Sequence, residues 1–527
     1  MKHDERGIAL VITLFLMATL SALAVSMMFL AQTETAASRN YRTMSQARYA
    51  AEAGVHAMTN YLMSSSYSAV APSSPFTGYD TTRVPVTCTA GCAHTAAGAC
   101  DGSTIANAVS TGCIVVGYSS ATSNNPASTT NTGGTGTLAM NANGTTNNAA
   151  RGTGTYAAAA ILMSIKQINV YGGSPAAIAT WQIVSDGTVP PSTAAIVEVS
   201  STLEQEIGSA QTYAVFATNA LCGAITISGN ANTDSYNSST MTTTPPTTTN
   251  SGGGIGTNGN LDVGGSVSIH GTLSTPRTGA GTCSNSSVDA ITGSGSWTYG
   301  GTNQLSQAMS YPTPTIPSGI PTSSITLQAS DGQALCASKL LTAGVTNWNC
   351  TVSGSTLTLT PVGAVTTLTL GNVTVGSNTN LTIAGGSTKI LNVNSFQLGS
   401  NAVMTMSSSP SSTSVLMNIA GQSLGTTKPL DLSGGGTVNP SYDPSRLQIL
   451  YAGTGEVDLV GNNNIAATIY APNASVKTVG TGSMYGSVLA STFTDTGGAT
   501  IHYDSNLQKK FSTLGNFMLT SFSWKKY

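Results

Sequence analysis

Apolar positions along the chain fall into three regimes. From Ile8 to Ala31 nearly every residue is apolar and none is charged, a run long enough to cross a bilayer as a helix, for which about 20 residues suffice. The pattern then turns periodic: Ala37, Tyr41, Met44, Ala47, Ala51, Val55, Met58 and Leu62 recur at three- and four-residue steps, which marks one face of a helix. No proline precedes Pro72, and Gly54 is the one glycine between Gly7 and that point. The two regimes together predict one continuous helix over residues 8–64, roughly 80 Å long at 1.5 Å per residue. An ordinary anchor followed by a separate helix is the alternative.

Beyond the helix the pattern loosens and then alternates. Residues 65–155 are loop-like; "SSATSNNPASTTNTGGTGTLAMNANGTTNNAA" has no charge, no aromatic residue and little to bury, so it reads as flexible or inserted. Residues 156–220 read as an antiparallel meander of four strands, "AAILMSIKQINVY", "ATWQIVSDGTV", "AAIVEVSSTL" and "TYAVFATN". Asp186-Gly187 supplies one turn, and the alternation of Glu198 with Val197 and Val199 predicts a wet face. From 221 to 527 short apolar couplets follow one another between Gly and Asn: Leu261/Val263, Val267/Ile269, Leu357/Leu359, Val373/Val375, Leu381/Ile383 and Leu391/Val393. Short strands with such corners suit a solenoid or β-helix; a β-sandwich is the alternative. The proline-containing stretch near 310–324 reads as a linker or crossing loop, and the aromatic C-terminus as a closing strand or cap. The fold class is therefore α+β, a long hydrophobic helix followed by a mainly β region.

Composition sharpens the compartment. Charged residues make up 7% of the chain, against about 25% in ordinary soluble proteins, so hydroxyls and amides keep the surface wet, as in exported β-rich proteins. With a net charge of −2, neither a nucleic acid nor an acidic membrane surface is implied as partner. The even set of Cys88, Cys92, Cys100, Cys113, Cys222, Cys283, Cys336 and Cys350 suggests disulfides formed after export. A metal site in "CTAGCAHTAAGAC", with Cys88, Cys92, His94 and Cys100, is the rival, but its spacing is not that of a zinc knuckle.

Signs of catalysis are sparse. The histidines are scattered, and there is no H-E-x-x-H or Walker loop. Gly254, Gly256 and Gly259 spell G-x-G-x-x-G, but "LDV" follows where a nucleotide site needs a helix N-terminus; solenoid corners explain them better. "GGIGTNGNL" approaches a calcium-binding nonapeptide, with Asn258 in place of the carboxylate and Asn260 in place of an aliphatic residue. The acidic pair Glu204 and Glu206 is expected to face water. No enzyme activity, metal or cofactor is expected.

The start of the chain has three readings. A secretory signal would use Ala22-Leu23-Ala24 as its cleavage site, yet the apolar run continues and the periodic face follows in phase. A plain anchor leaves the glycine behind a short polar leader unexplained. The third reading rests on two motifs. Leader residues Lys2 to Gly7, then Ile8 and an uncharged helix, resemble the class III signal of type IV pilins and pseudopilins; "RNYRTMSQARYAAEAGVHAM" resembles the N-terminal domain of PilX-type proteins, with Asn40, Tyr41 and Arg42 matching one motif and Ala47 with Ala50, Ala51, Glu52, Ala53 and Gly54 the other. The resemblance covers about 60 residues. It implies cleavage after Gly7 by a prepilin peptidase, methylation of Ile8, residence in the inner membrane before assembly, and packing against minor and major pilins. Ile12 stands where major pilins carry a glutamate; an unpartnered buried charge costs several kcal/mol, so this departure implies a minor subunit near the filament tip. The Gly/Asn-rich remainder is similar to uncharacterised domains found behind PilX-type starts. A surface adhesin for a glycan or surface is the alternative function, and an exported β-helix enzyme acting on polysaccharide a third.

Overall fold

The structure, a computed structural model, describes residues 5–63, 79–88, 115–117, 134–139, 153–168, 170–171, 176–189, 192–284, 287–408, 412–459 and 461–526. The chain divides into two units. One comprises Met1–Ile168, Pro175–Glu206 and Leu514–Tyr527, the other Asn169–Ser174 and Ile207–Thr513.

In the first unit a single helix, α1 (Glu5–Met63), runs without a break. After the short antiparallel pair β1 (Tyr79–Asp80) and β2 (Thr87–Cys88) come β3 (Val115–Gly117), β4 (Gly134–Ala139), β5 (Thr153–Ile168), β6 (Ala176–Val189) and β7 (Ser192–Ser209). Their sheet is ordered β3-β5-β6-β7 and ends on the C-terminal strand Ser512–Lys526, with β4 also paired to β5. Two expectations change here. "GTGTLA", read as loop, pairs antiparallel with β5 along its whole length; backbone hydrogen bonds to a neighbour suffice for a strand with little to bury. The C-terminal aromatic segment, grouped with the solenoid, joins this antiparallel sheet instead.

One face of the sheet packs on the second half of α1. Ala47, Ala51, Val55, Met58 and Leu62 form a core with Ala158, Leu162, Trp181, Ile183, Val199 and Leu203. The expected periodic face is thus real from Ala47 onward, whereas Tyr41 is 76% exposed. Asp186-Gly187 is not a turn but lies inside β6, paired with Glu198 and Val197 of β7. The glycine answers a different need: a Cβ at Gly187 would overlap the Ala47 carbonyl oxygen and lie 2.5 Å from the Ala51 nitrogen. Across the same seam a Cβ at Gly54 would overlap Ser185 Oγ and lie 2.8 Å from Tyr156 Cδ2. Helix and sheet backbones approach closely because both sides are small.

The second unit is a parallel solenoid. Each of the apolar couplets read from the sequence lies in a strand with both side chains buried, and strands of successive coils stack in register. One ladder runs Ile291, Leu261, Ile225, Phe493, Val476, Val457, Leu430, Phe396, Val373 and Ile325. A second runs Leu273, Ile255, Val215, Val488, Ile469, Ile449, Met417, Leu391 and Leu368. Val215–Ala217, expected in the meander, belongs to this stack; its neighbours are parallel, so apolar alternation alone did not distinguish its sheet.

Stacking order differs from chain order. The first coil, with strands Val215–Ala217, Ile225–Ile227 and Ala231–Tyr236, lies against the last, Ser483–Asp495 and Thr500–Asp504. From there the chain winds outward to Thr302–Gln304, resumes at the opposite end with Ser324–Leu327, and winds back to the middle. The expected proline-rich linker connects the two ends as a strap laid on the middle coils. Tyr311 lies 5.1 Å from the Phe216 ring, Tyr470 Oη donates to Pro312 O at 2.8 Å, and Asn473 Nδ2 donates to Thr313 Oγ1 at 3.2 Å. At the Ser324 end, helix α2 (Gly332–Thr342) carries Cys336, disulfide-bonded to Cys350.

Overpacking of the seam is the direct test. Gly187→Ala should destabilise the first unit by about 1–3 kcal/mol and speed amide hydrogen exchange across Ala47–Met58; an unchanged exchange profile there contradicts the close approach.

Candidate functional site: an apolar helix beyond a small-residue seam

The first half of α1 leaves its apolar side chains uncovered. Ile8 is 62% exposed, Ile12 57% and Phe15 71%, and the most apolar window of the helix has a mean hydropathy of 2.6 with none of it buried. Ile8 to Ala31 spans about 36 Å, enough for a hydrocarbon layer of about 30 Å. Three of the hydroxyls in this stretch bond back to carbonyls within the helix. Thr13 Oγ1 donates to Ala9 O at 3.0 Å, Thr19 to Leu16 O at 3.0 Å and Ser26 to Leu23 O at 2.9 Å. Such back-bonding removes the cost of placing them where no water is present. The helix is therefore membrane-insertable by length and composition.

The sequence-predicted positions fall on this one helix in two groups. Gly7 lies within its first turns, and Ile8, Ile12, Asn40, Tyr41 and Arg42 are on its uncovered length. Ala50, Ala51 and Gly54 lie in the seam: both alanines are fully buried. Glu52, one position off the seam, accepts from Arg48 Nε at 2.8 Å, and the Arg48 guanidinium sits 5.8 Å from the Trp524 ring. The family motif is thus split between an anchored part and a free part.

Of the eight cysteines, Cys222–Cys283 and Cys336–Cys350 are disulfides, with Cα separations of 5.7 and 6.0 Å. Cys92, Cys100 and Cys113, with the rival ligand His94, lie outside the described residues, and Cys88 is described only as a strand position. Among the described residues no three His, Cys, Asp or Glu side chains gather to hold a metal. Nor does "GGIGTNGNL" aim oxygens at a cation. Asn258 Nδ2 donates to Thr218 O and Met309 O, while Asn260 accepts from Gly223 N–H and donates to Thr292. Both amides tie segments of the solenoid together.

Sequence reasoning missed the face of the sheet turned from the helix. Glu198, expected in water, is 3% exposed, opposite Asp186 in register, with Lys525 Nζ 3.9 Å away. Burial, reinforced by the Glu198 charge, pushes the Asp186 carboxyl up to about 6. Its Oδ1 has no hydrogen-bond partner. The signal available in the sequence was the lone acidic residue within an otherwise apolar alternation, and it was indistinguishable from a solvated one.

Comparisons with known proteins agree with this division. Residues 6–56 match the PilX N-terminal family, and residues 346–510 match a domain of unknown function, DUF7305, over the second half of the solenoid. No curated protein matches the chain. Among solved structures, the competence-associated pilin ComZ from Thermus thermophilus shares 14% identity over 75% of this chain and 88% of that one, with a TM-score of 0.26, too faint a likeness to carry an argument. The chain thus begins with a PilX-like N-terminal domain.

The raised Asp186 carboxyl has a measurable consequence. A folded-state value above the unfolded one means the folded state holds the proton more tightly, so this stability is complete below about pH 4 and lost as pH rises through about 6. Asp186→Asn should raise the melting temperature at neutral pH and leave it unchanged below pH ~4; a gain of equal size at both pH values would contradict the cause given.

Proposed function

We propose that the chain is a minor pilin-like subunit of a type IV pilus, cut after Gly7 by a prepilin peptidase and methylated on Ile8. In this reading the helix holds the protein in the inner membrane as a single span, with the β region outside the cytoplasm, and then packs among the helices of major and minor pilins. The observation that carries the proposal is the uncovered apolar half of α1 joined without a break to a half locked on its own sheet. Burial of apolar surface and dispersion supply the association. The match of residues 6–56 to the PilX N-terminal family supports it. Without a carboxylate at Ile12, this subunit has no fixed partner for a neighbour's N-terminal ammonium, which favours a place at or near the filament tip over repeated use along the shaft.

Mass spectrometry of the mature N-terminus tests the proposal. The expected product begins with N-methylated Ile8 and loses both cleavage and methylation in cells lacking prepilin peptidase; a mature chain beginning at Val25 would overturn it in favour of a secretory signal.

A further inference from the structure

The two ends of the solenoid are finished differently. At the Ser324 end, α2 and its disulfide to Cys350 cap the stack. At the other end the strands Ile291–Gly293, Ser296–Thr298 and Thr302–Gln304 have neighbouring coils on one side only. The excursion over 277–290, fastened through Cys222–Cys283, reaches the first of these strands by the Ala280–Ile291 bridge. Beside it is a cavity of about 470 Å³ lined by Arg277, Thr278, Trp297, Tyr299, Thr302 and Gln304 among others.

In a chain with 6% aromatic and 7% charged residues, two rings and a guanidinium in one cavity stand out. Trp297 packs its inner side on the solenoid core, while Tyr299 is 36% exposed with its hydroxyl 3.4 Å from Thr302 Oγ1. Arg277 is held by backbone oxygens: Nε donates to Asn258 O at 3.2 Å and Nη2 to Ala220 O at 2.7 Å. Among the described residues no carboxylate forms a salt bridge with it; Asp289 of the excursion accepts from the Thr282 N–H through Oδ2 at 2.7 Å, with Oδ1 against Gly279. A guanidinium ordered in advance and lacking a counter-charge loses little freedom when it meets an anion. Apolar ring faces beside hydroxyl and amide groups suit a ligand that is itself apolar on its faces and polar at its rim.

We propose that this cavity binds a saccharide bearing a carboxylate, of the uronic-acid class. Trp297 and Tyr299 take the C–H face of the sugar ring, Arg277 takes the carboxylate, and Thr278, Thr302 and Gln304 bond the hydroxyls. The site belongs to the solenoid alone and does not depend on how the helix is used.

The test is calorimetric titration of the full chain in detergent with trisaccharides of galacturonate, glucuronate and mannuronate, and with their methyl esters. At least one acid should bind saturably. Its ester should bind about tenfold more weakly, as should the acid to Trp297→Ala and Tyr299→Ala. The exposed Tyr299 variant, with an unchanged melting temperature, keeps the test valid if loss of Trp297 disturbs the core. No saturable binding of any acid, equal binding of acid and ester, or binding that survives Tyr299→Ala overturns the proposal.

Discussion

A coil of this solenoid contributes only two or three inward side chains to each ladder, too few to hold it in place alone, so its stability comes from register with the coils above and below. Phe396 is buried because Leu430 and Val373 lie directly over and under it. Any slip by one residue would turn that apolar set outward. The constraint also accounts for the composition: once the core is a narrow column and the coil corners are Gly and Asn, little remains to be charged. It accounts for the strap as well. A solenoid whose first and last coils meet in the middle of the stack must cross its own flank, and Tyr311 and Pro312 are held there by Phe216 and Tyr470.

The helix obeys a related rule with another outcome. Close approach of α1 to β6 demands small residues on both sides, and Ala47, Ala51 and Gly54 meet Ser185 and Gly187. That seam fixes the second half of the helix and ends near Ala47. The apolar stretch Ile8–Ala31 before it lacks a covering surface, and Thr13, Thr19 and Ser26 within it bond back to helix carbonyls. A segment so arranged is suited first to lipid and then to other helices, the two environments that the proposed life of this subunit requires.

Much of this was legible in residue patterns. The unbroken helix followed from the absence of proline and the three- and four-residue steps, and the solenoid from couplets such as Leu381/Ile383. What escaped was whatever depends on which neighbour a segment meets. Asp186-Gly187 has the composition of a turn and became a close-contact point because a helix lies across it. Val215 alternates as a meander strand would and pairs in parallel instead. The order of coils could not be read at all, since each couplet is chemically interchangeable with the next. The open end of the stack, with Trp297 and Tyr299, was invisible for the same reason.

The central claim is that one helix serves both bilayer and assembly while its second half stays on its own sheet. A single cysteine at Leu16, probed by crosslinking in cells that make pili, tests it most directly. The account predicts an adduct with a pilin helix that forms only where prepilin peptidase is active. A cysteine that reacts in the membrane but gives no such adduct, in processed and unprocessed cells alike, would contradict it.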